Sequence, residues 1–101
     1  MAKGYWIVRV DVSDPEAYKA YVAANAAVFS KYGATFLVRG GNHETVEGTS
    51  RVRNVVIAFK DYATALACYH SPEYAAAKAL RVAASTADII VIEGYEGPQP
   101  Q

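Results

Sequence analysis

Val55-Val56-Ile57-Ala58-Phe59 and Ile89-Ile90-Val91-Ile92 are apolar without a break. A strand sends successive side chains to opposite faces, so a run with no polar residue reads as a strand covered on both sides. In a chain of 101 residues, the encoded helices can cover one face of such a sheet. The other face needs a second copy of the protein.

Two further strands flank this reading. From Gly4 to Val12, Trp6, Val8, Val10 and Val12 fall on one parity and Tyr5, Ile7, Arg9 and Asp11 on the other, which is the period of a strand. Ala34 to Arg39 has strand character, and Gly40-Gly41 interrupts it before His43-Glu44-Thr45-Val46-Glu47 resumes it. A long strand bulged at the glycines is the favoured reading, with a hairpin at Gly40-Gly41 as the alternative. Gly48-Thr49-Ser50 is the better turn into Val52 to Phe59. The last strand covers Ala87 to Gly94.

The helices announce themselves by their start chemistry. Asp14-Pro15-Glu16 offers a capping carboxylate, a proline that loses nothing at the first helical position, and an acid that complements the helix dipole. Tyr18, Tyr21, Val22, Asn25, Val28, Phe29 and Tyr32 recur at three and four residues as one inward stripe, and Gly33 is the stop. Asp61 caps a second helix. Ser71-Pro72-Glu73 repeats the start signal, so that helix breaks near His70 and continues to about Ser85 through an alanine-rich stretch.

The order β-α-β-β-α-β predicts an α+β, ferredoxin-like fold: a four-stranded antiparallel sheet with its helices on one face. Two such sheets packed face to face make a dimeric α/β barrel. Residues 1–94 are read as one domain and 95–101, with Pro98 and Pro100, as a flexible C-terminal tail. A domain this small hides only about 60–70% of the surface its unfolded chain exposes, so burying a further sheet face stabilises it.

Composition limits the function. Ten Lys and Arg balance ten Asp and Glu, and only Arg51 and Arg53 lie close together, so nucleic acid is not expected as a partner. One cysteine, Cys68, and two histidines give no zinc spacing, and no metal or cofactor is expected. Without an apolar leader or a run of about 20 apolar residues, the reading is a cytoplasmic protein with no membrane association.

Gly4-Tyr5-Trp6-Ile7-Val8, Phe36-Leu37-Val38-Arg39-Gly40-Gly41, Arg53-Asn54-Val55-Val56-Ile57 and Tyr69-His70-Ser71-Pro72-Glu73-Tyr74 together resemble domain of unknown function family 1330. The resemblance runs from Lys3 to Gly94 and implies a bacterial-type member of the dimeric α/β-barrel superfamily, with no established activity. Relatives in that superfamily include cofactor-free oxygenases, isomerases and haem-degrading enzymes, an analogy of fold alone.

His70, at a helix junction, is the first candidate for a general acid or base, with Tyr69 or Tyr74 beside it. Its plainer role is to bond the last carbonyls of the helix. Ser71 is a second contact there and otherwise an N-cap. Arg39, Gly40, Gly41 and His43 set a guanidinium, free backbone N–H groups and an imidazole in one short stretch suited to a carboxylate or phosphate. Without a ligand, Arg39 would pair with Glu44 or Glu47. Arg9 and Asp11 point between the paired sheets and need each other or a ligand. Arg81 reads as a surface residue within reach of Asp88 or Glu73, the tyrosines as core rings with hydroxyls at the rim, and Cys68 as inert.

These residues support a homodimer binding a small, anionic or aromatic metabolite, with cofactor-free proton transfer or isomerisation as the chemistry. The alternative is a non-catalytic interaction module, marked by a closed interior. A haem-degrading enzyme ranks third.

Overall fold

In a computed structural model, which describes residues 2–100, the sheet is built from β1 (Gly4–Val12), β2 (Thr35–Arg39), β3 (Arg53–Phe59) and β4 (Ser85–Glu93). All neighbours are antiparallel, in the order β2-β3-β1-β4. The helices are α1 (Pro15–Lys31), α2 (Tyr62–Tyr69) and α3 (Pro72–Ala84). This is the expected ferredoxin-like α+β arrangement.

Each helix starts where its sequence signal lies. The side chains of Asp14, Asp61 and Ser71 accept from the backbone N–H groups of Ala17, Thr64 and Tyr74 at 3.1, 2.7 and 3.1 Å. Helix α1 ends as the Gly33 stop requires: Gly33 takes a φ of +69°, and Ala34 N–H reaches back to the Phe29 carbonyl at 2.9 Å. The break between α2 and α3 falls at His70 and Ser71.

Register sorts the two faces. Trp6 lies beside Ile57 and Val91, and Val8 beside Val55 and Ile89; these rows face the helices and form the core with Tyr21, Val28, Phe29, Phe59, Ala65 and Tyr74. Trp6 is fully buried, donates its ring N–H to the Ala65 carbonyl at 2.9 Å and meets Phe29 and Tyr74 edge-on. On the opposite face Val38, Val56, Ile7 and Ile90 form one apolar row across all four strands. Ile90 is 56% exposed and Ile92 48%.

Two expectations about the middle of the chain are corrected. Residues 43–47 form no strand; they belong to an exposed segment between β2 and β3. The bulge lies at Leu37, between Phe36 opposite Ile57 and Val38 opposite Val56, rather than at Gly40-Gly41. What holds the segment back is a set of ionic contacts near the far end of β1. Arg51 pairs with Asp11 and Asp88, both at 2.8 Å, Val52 N–H donates to Asp11 at 2.9 Å, and Arg9 donates to the Thr49 carbonyl at 2.9 Å. Strand hydrogen bonding loses to these contacts.

Candidate functional site

Between α1 and the sheet runs a cleft lined by the Trp6, Phe29 and Phe36 rings, by Tyr18 and Tyr21, and by Asn25, Arg39 and Arg53. Counted out to its open mouth it encloses about 360 Å³ of atom-free space, but only about 30 Å³ admits the centre of a water molecule. Room of that size suits one or two waters. A ring enters only if the Tyr18 and Arg39 side chains swing outward.

The two arginines come from different local causes. An extra residue in one strand shifts the parity of all that follows, so the bulge at Leu37 brings Arg39 opposite Val55, on the helix-facing side. There its guanidinium lies 4.1 Å from the centroid of the Phe36 ring. No bond to Glu44 or Glu47 forms. Arg53 begins β3, and its Nε is buried with no hydrogen-bond partner. Gly40 makes room for it: a Cβ there would lie 2.5 Å from Arg53 Nη1, and the Gly40 φ of +69° suits glycine alone.

Deeper in, polar groups meet where the sequence suggested only packing. The hydroxyls of Tyr21 and Tyr74 are 2.8 Å apart and buried, so this pair does not place its oxygens at a rim. Asn25, 6% exposed, stands beside the Tyr21 hydroxyl. Arg81, expected at the surface, is also only 6% exposed. It forms no ion pair with Asp88 or Glu73; Asp88 goes to Arg51 and Glu73 to Lys31. Its guanidinium sits 5.9 Å from the Tyr21 ring centroid and bonds the Tyr74 hydroxyl, while its Nε has no partner.

Burial pushes the Tyr21 and Tyr74 phenols above their ordinary pKa; the Tyr21 bond and the nearby Arg81 charge offset part of the rise at Tyr74. Both are therefore neutral donors at neutral pH. Burial likewise pushes the Cys68 thiol up to about 12, as expected of an inert cysteine.

The remaining sequence candidates are dispersed. His70 is exposed, caps α2 by donating its N–H to the Leu66 carbonyl at 3.0 Å, and packs edge-on against Tyr69. Ser71 is buried; its hydroxyl caps α3 and donates to the Cys68 carbonyl at 2.8 Å. Tyr69 and Arg81 line a recess beside the β4 edge with Ala87, Asp88, Ile89 and Ile90. His43 and Gly41 lie in the exposed segment after β2. Arg39 and Gly40 are at one end of the sheet and His70 follows a helix that starts beside Gly4, at the other. The structure does not bring them together. A broader, shallower depression near Lys31, Lys60, Asp61 and Thr64 contains no buried polar group.

Residues 3–95 match the model of a domain of unknown function. The chain belongs to the DUF1330 family. No curated protein matches it. Among solved structures, this DUF1330 chain is similar to a protein of unknown function from Rhodopseudomonas palustris, with a TM-score of 0.76 at 17% identity over 95% of this chain and 85% of that one. It is also similar to SnoaB, a cofactor-independent oxygenase from Streptomyces nogalater, with a TM-score of 0.65 at 17% identity over the full length of both. A dimeric ferredoxin-like protein of unknown function from Thermobifida fusca gives 0.61 at 13% identity over 91% of each. At these identities the likeness concerns the fold.

Asn25 and Tyr21 were legible as part of the inward stripe of α1, though not as site residues. A polar amide on an otherwise apolar stripe was the available signal. Arg53 and Arg81 gave none, because neither the parity shift at Leu37 nor the inward turn of α3 can be read from neighbouring residues.

Proposed function

We propose that this DUF1330 protein is a homodimer whose subunits each bind a small planar metabolite bearing an acidic oxygen, in the cleft between α1 and the sheet. The observation that carries this reading is the composition of the cleft. Aromatic rings form its walls, and two guanidiniums stand at its mouth, one with an unused buried donor at Arg53 Nε. Rings stack on rings, and guanidiniums match carboxylates and phenolates. Any chemistry there is cofactor-free proton transfer, in keeping with what the SnoaB neighbour is called. The reading draws on the cleft in place of His70 and Tyr69.

Dimerisation is supported by the apolar row Val38, Val56, Ile7 and Ile90 on the uncovered face and by the dimeric neighbour. A patch of that kind favours burial against its own copy, since the same surface is then covered twice. A second reading, a non-catalytic interaction module, is favoured by the narrowness of the cleft, about 30 Å³ for water.

Trp6 is the only tryptophan and lines the cleft, so its fluorescence reports on an occupant. Titration with 2-naphthoate is expected to change Trp6 emission saturably, and Arg53→Met to weaken the binding about tenfold, the loss of one charged hydrogen bond. No saturable change leaves the interaction module as the function. Sedimentation tests the dimer separately: the native chain is expected as a dimer and Ile90→Asp as a folded monomer, and a monomeric native chain overturns the assembly.

A further inference from the structure

Arg81 is a buried cation with no carboxylate to answer it. Such a charge loses water's solvation and recovers it only through hydrogen bonds or an opposite charge. Here it has one neutral hydroxyl, at Tyr74, the face of the Tyr21 ring and an idle Nε. Glu73, one turn earlier on the same helix, is engaged by Lys31, and Asp88 on the adjacent strand by Arg51. The fold places the charge where it stabilises little.

Its direction follows from donor arithmetic. A guanidinium has donors and no acceptor, so at the Arg81 to Tyr74 bond the arginine donates and the Tyr74 oxygen accepts. The Tyr74 hydrogen is thereby free to point along the 2.8 Å contact to the Tyr21 oxygen. The Tyr21 hydrogen is then the end of the chain, on a residue that lines the cleft. In the empty cleft only the Asn25 amide stands beside it. Each donor in such a series strengthens the next, most of all away from water.

We infer that Arg81, Tyr74 and Tyr21 form a polarised donor chain whose terminal hydroxyl, on Tyr21, binds the oxygen of an enol- or phenol-type ligand in the cleft and favours its oxyanion. The inference rests on the cleft reading above and names the ligand class within it. Tyr21 touches the ligand; Tyr74 and Arg81 are positioning residues that act through it. The arrangement stabilises negative charge as it develops, which is how donors fixed in a dry site favour deprotonation of an acidic substrate. No bond is made or broken by the chain itself.

The probe is 2-naphthol, whose neutral and ionised forms absorb at different wavelengths, with 2-naphthoate as the control for the cleft. Bound 2-naphthol is expected to ionise at a pH at least one unit below its value in water. Arg39 and Arg53 at the mouth also attract the anion, so variants separate the contributions. Tyr21→Phe is expected to remove about one unit of the shift, a tenfold loss in oxyanion preference, while 2-naphthoate affinity stays within about twofold. Arg81→Met, with both hydroxyls present, is expected to remove part of the same shift. Tyr18→Phe, a cleft tyrosine outside the chain, is expected to change nothing. If 2-naphthoate binds but Tyr21→Phe leaves the 2-naphthol shift intact, the donor chain is overturned and the cleft stands. If neither compound binds, both fall. Circular dichroism of each variant establishes that it is folded before it is scored.

Discussion

Replacing Arg81 by methionine tests whether this buried charge serves the fold. Methionine keeps an unbranched apolar stem, so the packing around Tyr21 and Tyr74 is largely retained. Two favourable contacts are lost: the charged hydrogen bond to Tyr74, worth about 1.5–3 kcal/mol, and the guanidinium over the Tyr21 ring at 5.9 Å, worth about 0.5–2 kcal/mol. Against them stands the desolvation of an ion 6% exposed, which costs several kcal/mol and is not repaid by a carboxylate. These terms nearly cancel, with the balance on the side of removal. The variant is expected to be between equal to and about 2 kcal/mol more stable than the native chain. Removing one partner of a true buried ion pair instead costs about 3–5 kcal/mol, so the two cases are well separated. The assay is urea unfolding at one fixed protein concentration, because a dimer's midpoint moves with concentration. A loss greater than about 1 kcal/mol would show that Arg81 is an ordinary structural residue, and the argument from its unmet charge would collapse.

Ser71→Ala removes a cap hydroxyl that is both donor and acceptor in a buried setting; a loss of about 1–2 kcal/mol is expected in the same assay, with 2-naphthoate binding unchanged. A loss of binding without a loss of stability would return Ser71 to the site. At high pH the buried phenols supply a further test. Burial raises the pKa of Tyr21 and Tyr74 from 10.0 in each case, so the folded state holds these protons where the unfolded chain releases them. Their contribution is intact below about pH 10 and is lost as the pH climbs toward the folded-state values. The last step in phenolate absorbance is therefore expected to coincide with loss of the circular dichroism signal; ionisation of all eight tyrosines before that loss contradicts the buried pair.

The fold was legible because its signals are local. Asp14-Pro15-Glu16, Asp61 and Ser71-Pro72-Glu73 each carry their own capping chemistry, and all three caps form. The unbroken runs at Val55 to Phe59 and Ile89 to Ile92 identified strands, and register then showed which residues lie uncovered. The segment 43–47 misled because its alternation was real but weak, while its fate was decided by Asp11, Asp88 and Arg51. Two of those three belong to strands distant in sequence.

The site was less legible, and the reason differs for each arginine. Arg39 was singled out for its glycine neighbours, yet it reaches the cleft through the bulge two residues earlier, at Leu37. Gly40 matters through the space it leaves for Arg53, not by offering its backbone to a ligand. Arg81 follows a run of alanines that places no bulky residue beside it, so its side of the helix cannot be told from composition. In the structure Arg81 and Tyr74 lie seven residues apart, two helical turns, and so share one face of α3. Tyr74 is fully buried. That spacing was a usable signal: a residue two turns from a buried tyrosine inherits its direction, and an arginine so placed needs an inward partner. Here the inward partner is a second tyrosine on α1 that opens onto the cleft, which is why a residue read as a solvated surface charge connects to the candidate site.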